Sequence, residues 1–105
     1  MYGRNVTVRL KPNTAQEFTR TIENEILPLL RKQTGFQDEL TMVVQGGTEA
    51  VGISLWDQKE HVETYERGTY PQVMKTLAKF VDGTPRVQTY EVCNSTFHKI
   101  AAHVA

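Results

Sequence analysis

The sequence has no excess charge of either sign: Lys and Arg together number 12, Asp and Glu together number 12, and the formal net charge is zero. Binding to nucleic acid rests on basic charge facing phosphates, and attraction to an anionic membrane rests on the same surplus. Neither partner is expected. There is a single cysteine, Cys93, which excludes an internal disulfide and any cysteine-built metal cluster. In its strand setting it reads as a buried thiol rather than a nucleophile. No apolar run approaches the roughly 20 residues that cross a bilayer. The opening Met1-Tyr2-Gly3-Arg4-Asn5 turns at once into strand pattern without a signal-peptide hydrophobic region, so the expected location is cytoplasmic. Without a secretion signal, the Asn94-Ser95-Thr96 acceptor triplet reads as chance. Histidine is scarce as well. His98 and His103 are five apart, the wrong spacing for one helix face, and His61 reads as solvated, so no metal site is expected. A phosphate loop is missing too, because Gly46-Gly47 lies between strands rather than before a helix. Asp38 and Glu39 are neighbours on a strand and point to opposite faces, which spoils them as an acid/base pair.

What is present fits one domain. The chain has 105 residues, 39% of them hydrophobic and 23% charged, an ordinary globular composition. Val6, Val8 and Leu10 alternate with Asn5, Thr7 and Arg9, the period of a strand. Lys11-Pro12-Asn13 breaks it, and Thr14-Ala15-Gln16-Glu17 fits a capping box. Phe18, Ile22, Ile26 and Leu29 or Leu30 then form a helical stripe. Pro28, inside that stripe, removes an amide donor and crowds the carbonyl of Asn24, which predicts a kink or a loosened turn. Gly35 is the expected stop. Phe36 to Gln45 reads as a second strand, Gly46-Gly47 as a tight reversal, and Ala50 to Trp56 as a third strand. A helix capped by Asp57 follows, with Val62 and Tyr65 on one face. It is interrupted at Gly68 and restarted at Thr69-Tyr70-Pro71, with Val73, Met74, Leu77, Ala78 and Val81 as the buried stripe. Asp82-Gly83-Thr84-Pro85 reads as a turn, Arg86 to Cys93 as the fourth strand, and the tail to Ala105 is weakly patterned.

The order βαββαβ predicts an α+β, ferredoxin-like fold: an antiparallel four-stranded sheet with helices on one face. Along the third strand Val51, Ile53 and Leu55 make one side and Ala50, Gly52, Ser54 and Trp56 the other. Neither side is charged, yet helices can cover only one. An uncovered, uncharged sheet face predicts a homodimer, with a second copy as the simplest cover.

Gly35-Phe36 leading into a strand, and Ile53-Ser54-Leu55-Trp56-Asp57 leading into a helix, resemble the antibiotic biosynthesis monooxygenase family of dimeric α/β barrels. The similarity runs from Arg4 to Cys93. It implies two sheets packed into a barrel, with a pocket in each subunit between sheet and helices. The superfamily includes oxygenases, isomerases and haem-degrading enzymes, so activity must be carried over residue by residue. Haem-degrading relatives need an Asn, a Trp and a His ligand where this sequence has Val6, Tyr65 and Lys75. Asn5 is one residue off and turns to the opposite face, and a lysine cannot serve as an imidazole ligand. No cofactor is therefore expected.

The cofactor-free oxygenases of the family act on polycyclic phenols, whose own anion reduces oxygen. Such a protein needs an apolar pocket with a few polar groups that stabilise the anion. The resemblance implies a ligand-binding pocket for an apolar small molecule lined by Trp56, Tyr65, Tyr70 and Met74, with no catalytic residue assigned. Each has a plainer role beside it: Trp56 as a plug between helix and sheet, and the tyrosines as amphipathic residues at helix boundaries. The alternative function is a non-catalytic barrel that binds a small molecule or simply dimerises. An enzyme requires two or more polar side chains converging in the pocket.

Overall fold

A computed structural model describes residues 1–97. His98, His103 and the rest of the tail lie outside the described residues. Strands β1 (Tyr2–Leu10), β2 (Phe36–Val43), β3 (Glu49–Trp56) and β4 (Val81–Glu91) form one antiparallel sheet in the order β2-β3-β1-β4. Helices α1 (Ala15–Thr21), α2 (Leu27–Arg31), α3 (Lys59–Gly68) and α4 (Tyr70–Leu77) pack on one face. This is the expected ferredoxin-like α+β arrangement.

Register decides which side chains meet the helices. Val6 pairs with Gly52, Val8 with Ala50 and Arg4 with Ser54; residues paired across antiparallel strands share a face. Even-numbered residues of β1 and β3 therefore point to the helices. The core joins Val8, Leu10, Ala50 and Trp56 of the sheet to Phe18, Ile22, Ile26, Leu30, Val62, Tyr65, Val73, Leu77 and Phe80. Phe18 and Phe80 meet edge to face, their centroids 6.3 Å apart.

Several local expectations change. Thr14 makes no cap; its Oγ1 donates to the Lys11 carbonyl at 2.7 Å. The loosening expected at Pro28 takes the form of a π-helical turn at Ile22–Ile26, where the Leu27 amide reaches back to the Ile22 carbonyl. Widening the turn just before the proline accommodates its missing donor. The β2–β3 reversal is a longer loop over residues 44–48, with only Gly46 at positive φ. Gln58, in extended conformation, precedes α3 in the place expected for Asp57. The Asp57 carboxylate instead receives His61 Nδ1 at 2.6 Å, so His61 is paired, not merely solvated. That hydrogen bond leads the causes that hold the Asp57 carboxyl below its ordinary range.

The Asp82–Pro85 segment is not a turn. β4 runs through it as a bulge: Thr7 pairs with Arg86 and Arg9 with Asp82, so three residues of β4 oppose one of β1. Gly83 supplies the positive φ and Pro85 sits where no ladder donor is needed. Val81 opens the strand instead of ending the helix stripe, Ala78 is exposed, and Phe80 takes the buried position. Cys93 falls beyond β4 and is exposed, which corrects the buried-thiol reading.

Gly35 ends the first helical stretch at φ 85°. Its carbonyl accepts the Asp57 amide at 2.9 Å, and a Cβ there would run into the Asp57 and His61 side chains. This contact anchors the end of β3, and Trp56 inserts beside it at 0% exposure. Its Nε1 donates to Ser54 Oγ at 2.8 Å, and its ring packs against Phe36 and Tyr65. Truncating a large core aromatic costs about 3–5 kcal/mol. Trp56→Ala is expected to lose about that much in denaturant unfolding and Trp56→Phe much less; equal stability of Trp56→Ala and the parent would refute the wedge.

Candidate functional site

Between the sheet and the helices lies a cavity of about 70 Å³. Its long wall is apolar, built from Phe18, Ile22, Ile26, Leu30, Val73 and Leu77, the stripes that the helical period places toward the sheet. Both π-turn isoleucines belong to it, so the widened turn shapes the cavity directly. Gly52 contributes floor rather than side chain. A Cβ there would sit 3.7 Å from Glu39 Oε2.

One end is polar. Arg4, Glu39, Thr41, Ser54, Tyr65 and Tyr70 all line the cavity. Arg4 is 3% exposed. Its Nε donates to Glu66 Oε1 at 3.0 Å, and Glu66 itself stands at the rim with its side chain 38% exposed. The guanidinium carbon lies 4.0 Å from the centre of the Tyr70 ring and 5.4 Å from that of Tyr65. A buried cation over two aromatic faces is held by their ring quadrupoles as well as by its ion pair. Thr41 Oγ1 donates to Glu39 Oε2 at 2.7 Å. Burial raises the Glu39 carboxyl above its ordinary value, against the lowering effect of that hydrogen bond. Burial also pushes the Tyr65 phenol up to about 12, only partly opposed by Arg4. At neutral pH Tyr65 is thus a donor and not a base.

Of the residues expected from sequence, Tyr65, Tyr70 and Met74 line the cavity. Trp56 does not; it lies behind Tyr65, with centroids 5.0 Å apart, and supports that wall. Thr69 Oγ1 donates to Gln33 Oε1 at 3.3 Å, tying the α3–α4 joint to the segment that follows α2. Asn5 faces away, paired with Ile53 on the open side of the sheet, and Lys75 is exposed. The sequence reading missed Arg4, Glu39, Thr41 and Ser54. The signal was there for Arg4, which continues the even-numbered Val6-Val8-Leu10 face as a charge at a core position. Asp38 and Glu39 do face opposite ways, and that leaves Glu39 alone in the cavity. Among the described residues no cluster of His, Cys, Asp and Glu could hold a metal ion.

No family model matches the sequence, and neither does any curated protein. The fold does have solved counterparts. A monooxygenase from the gene ActVA-Orf6 of Streptomyces coelicolor, solved in complex with Nanaomycin D, superposes with a TM-score of 0.77 at 14% identity, covering 90% of this chain and 88% of its own. An antibiotic biosynthesis monooxygenase superposes at 0.70 with 12% identity, covering 88% and 98%. A protein of unknown function from Nitrosomonas europaea, NE2512, superposes at 0.76 with 12% identity, covering 90% and 91%. The resemblance noted in the sequence is thus borne out by the structure, and at these identities what is shared is the fold.

The Glu39 shift has a consequence for stability. A carboxyl whose folded value is raised stabilises the fold most while protonated, and that contribution is lost as pH rises through the raised value. Glu39→Gln stays neutral throughout. Melting temperatures of parent and variant are expected to run together near pH 4 and to diverge in favour of Glu39→Gln toward pH 7. Parallel curves would show that the carboxyl carries no burial penalty.

Proposed function

We propose that this chain is a cofactor-independent oxygenase acting on an aromatic or other apolar small molecule that ionises at a hydroxyl. The observation that carries this reading is the convergence of buried Arg4 and Tyr65 with half-buried Glu39 at one end of an otherwise apolar cavity. A purely structural or passive apolar pocket has no use for a buried cation beside a half-buried carboxyl, both of which cost free energy to desolvate. A neighbour of the same fold solved with the small molecule Nanaomycin D supports a small-molecule ligand.

The roles follow from the chemistry of each group. The Glu39 carboxylate, made more basic by burial, takes the substrate hydroxyl proton while the electron pair stays on the substrate oxygen. Arg4 faces the resulting anion, and a fixed cation in a water-poor cavity stabilises developing negative charge strongly. The anion passes one electron to dioxygen. The substrate radical and superoxide then join as a carbon-bound peroxide anion, which takes back the proton held by Glu39. The resulting hydroperoxide loses water, its oxygen-bearing carbon giving up its hydrogen, to leave a carbonyl. For a phenol the sum is phenol plus dioxygen to quinone plus water, with no outside reductant. Tyr65 keeps its proton and closes the wall.

With one-ring phenols as probes, ortho-hydroxyacetophenone among them, and neither metal nor flavin added, oxygen uptake is expected from the parent protein. Arg4→Gln should slow it on the order of a hundredfold or more, the usual cost of losing a preorganised oxyanion partner. Folded parent protein that consumes no oxygen leaves the second reading, a non-catalytic small-molecule-binding or structural barrel, which the small cavity volume favours.

The assembly proposed with this function is a homodimer. On the open face Val51, Ile53 and Leu55 of β3 stand beside Leu40 and Met42 of β2, and both β2 residues are exposed. Asn5 Oδ1 on that face is buried without a hydrogen-bond partner among the described residues, a defect that a donor from a second copy would cure. Sedimentation at micromolar concentration is expected to give twice the chain mass, and Ile53→Glu to give the monomer. A parent that sediments as a monomer refutes the assembly.

A further inference from the structure

Arg4 uses only part of its hydrogen-bonding capacity. Its Nε–H goes to Glu66, while the two terminal nitrogens, with four N–H donors, meet no acceptor among the described residues. They are not sealed in protein either. The one wholly buried side-chain polar atom without a partner is Asn5 Oδ1, among the described residues, so the free end of Arg4 looks into the cavity it lines. The Tyr70 ring centre, 4.0 Å from the guanidinium carbon, and that of Tyr65, 5.4 Å from it, crowd the group from the helix side. A ligand that engages both terminal nitrogens meets a fork matched to two oxygens at carboxylate spacing. Charge narrows the choice further. Glu66 balances Arg4 from the solvent-exposed rim, where water screens it, so the cavity side keeps a net positive pull. The Glu39 carboxyl beside the same space disfavours a dianion such as phosphate. The remaining wall is aliphatic and the volume small, which suits a body of about one ring.

We infer that the cavity binds a compact apolar anion whose planar head carries two oxygens sharing one negative charge, seated on the free fork of Arg4. The inference takes from the oxygenase reading only the choice of cavity as substrate site, and adds that the substrate anion is carboxylate-like or a hydroxy-ketone enolate, not a simple phenolate. Glu66 is then a positioning residue that aims the fork.

The test is calorimetric titration of the intact protein under argon at pH 8 with benzoate, tropolone, phenol and benzyl alcohol. Benzoate, tropolonate or both are expected to bind at least tenfold more tightly than phenol and benzyl alcohol; which of the two leads tells a carboxylate head from an enolate head. Arg4→Lys, which keeps the charge and loses the fork, should remove that preference. Should Arg4→Lys fail to fold, the ligand series on the parent protein still decides. Equal affinities across the series, no binding of any probe, or an unchanged preference in folded Arg4→Lys overturns the inference. Preference without oxygen uptake from any phenol would sink the catalytic reading alone, and uptake from plain phenols without preference would sink this one alone.

Discussion

A continuous aromatic stack ending in a buried cation organises this protein. Phe36 meets Trp56 at 5.6 Å, Trp56 meets Tyr65 at 5.0 Å, Tyr65 meets Tyr70 at 6.1 Å, and Tyr70 carries the Arg4 guanidinium at 4.0 Å. The stack begins where β2 and β3 pair, crosses the strand-to-helix junction, and passes through α3 to the start of α4. Each ring is held by the one before it, so the position of Arg4 depends on packing that starts at the far edge of the sheet. Aromatic pairs at such separations add modestly to the burial of their area. Their larger effect is geometric, since rings wedged between neighbouring rings have little room to rotate.

The same stack explains why a charge can be kept inside so small a domain. An isolated buried guanidinium would cost several kcal/mol. Here Glu66 supplies an opposite charge at the rim and two rings supply negative faces within the cavity. Glu39, by contrast, is left with a threonine hydroxyl and no cation hydrogen-bonded to it among the described residues, and its carboxyl shifts toward the neutral form. One end of the cavity thus holds a fixed positive charge and an uncommitted proton acceptor. Those are the elements needed to create an anion and keep it.

Much of the fold was legible because it rests on period. The alternation at Val6, Val8 and Leu10 and the stripes at Phe18, Ile22 and Ile26 identify strand and helix from spacing alone, and their buried sides emerge as expected. Misreadings cluster where a local signal has two outcomes. Asp82-Gly83-Thr84-Pro85 carries turn residues, but the strand continues past them as a bulge because Arg9 and Leu10 offer pairing partners that no local window can see. Asp57 has the chemistry of a cap and instead binds His61, since Gly35 brings the end of α2 against the start of α3.

The sequence by itself determined the element order and the apolar stripes of the first strand and the helices, because hydrophobic periodicity acts over a few neighbouring positions. Which face of the sheet the helices cover was settled by register. Tertiary structure alone decided the polar site. Arg4, Glu39 and Tyr65 come from β1, β2 and α3 and meet only because β3 lies between the two strands in the sheet and Trp56 fixes α3 over them. The environment that gives these groups their chemistry, with Arg4 and Tyr65 buried and Glu39 half-buried around one cavity, is a property of that meeting and of no segment taken singly.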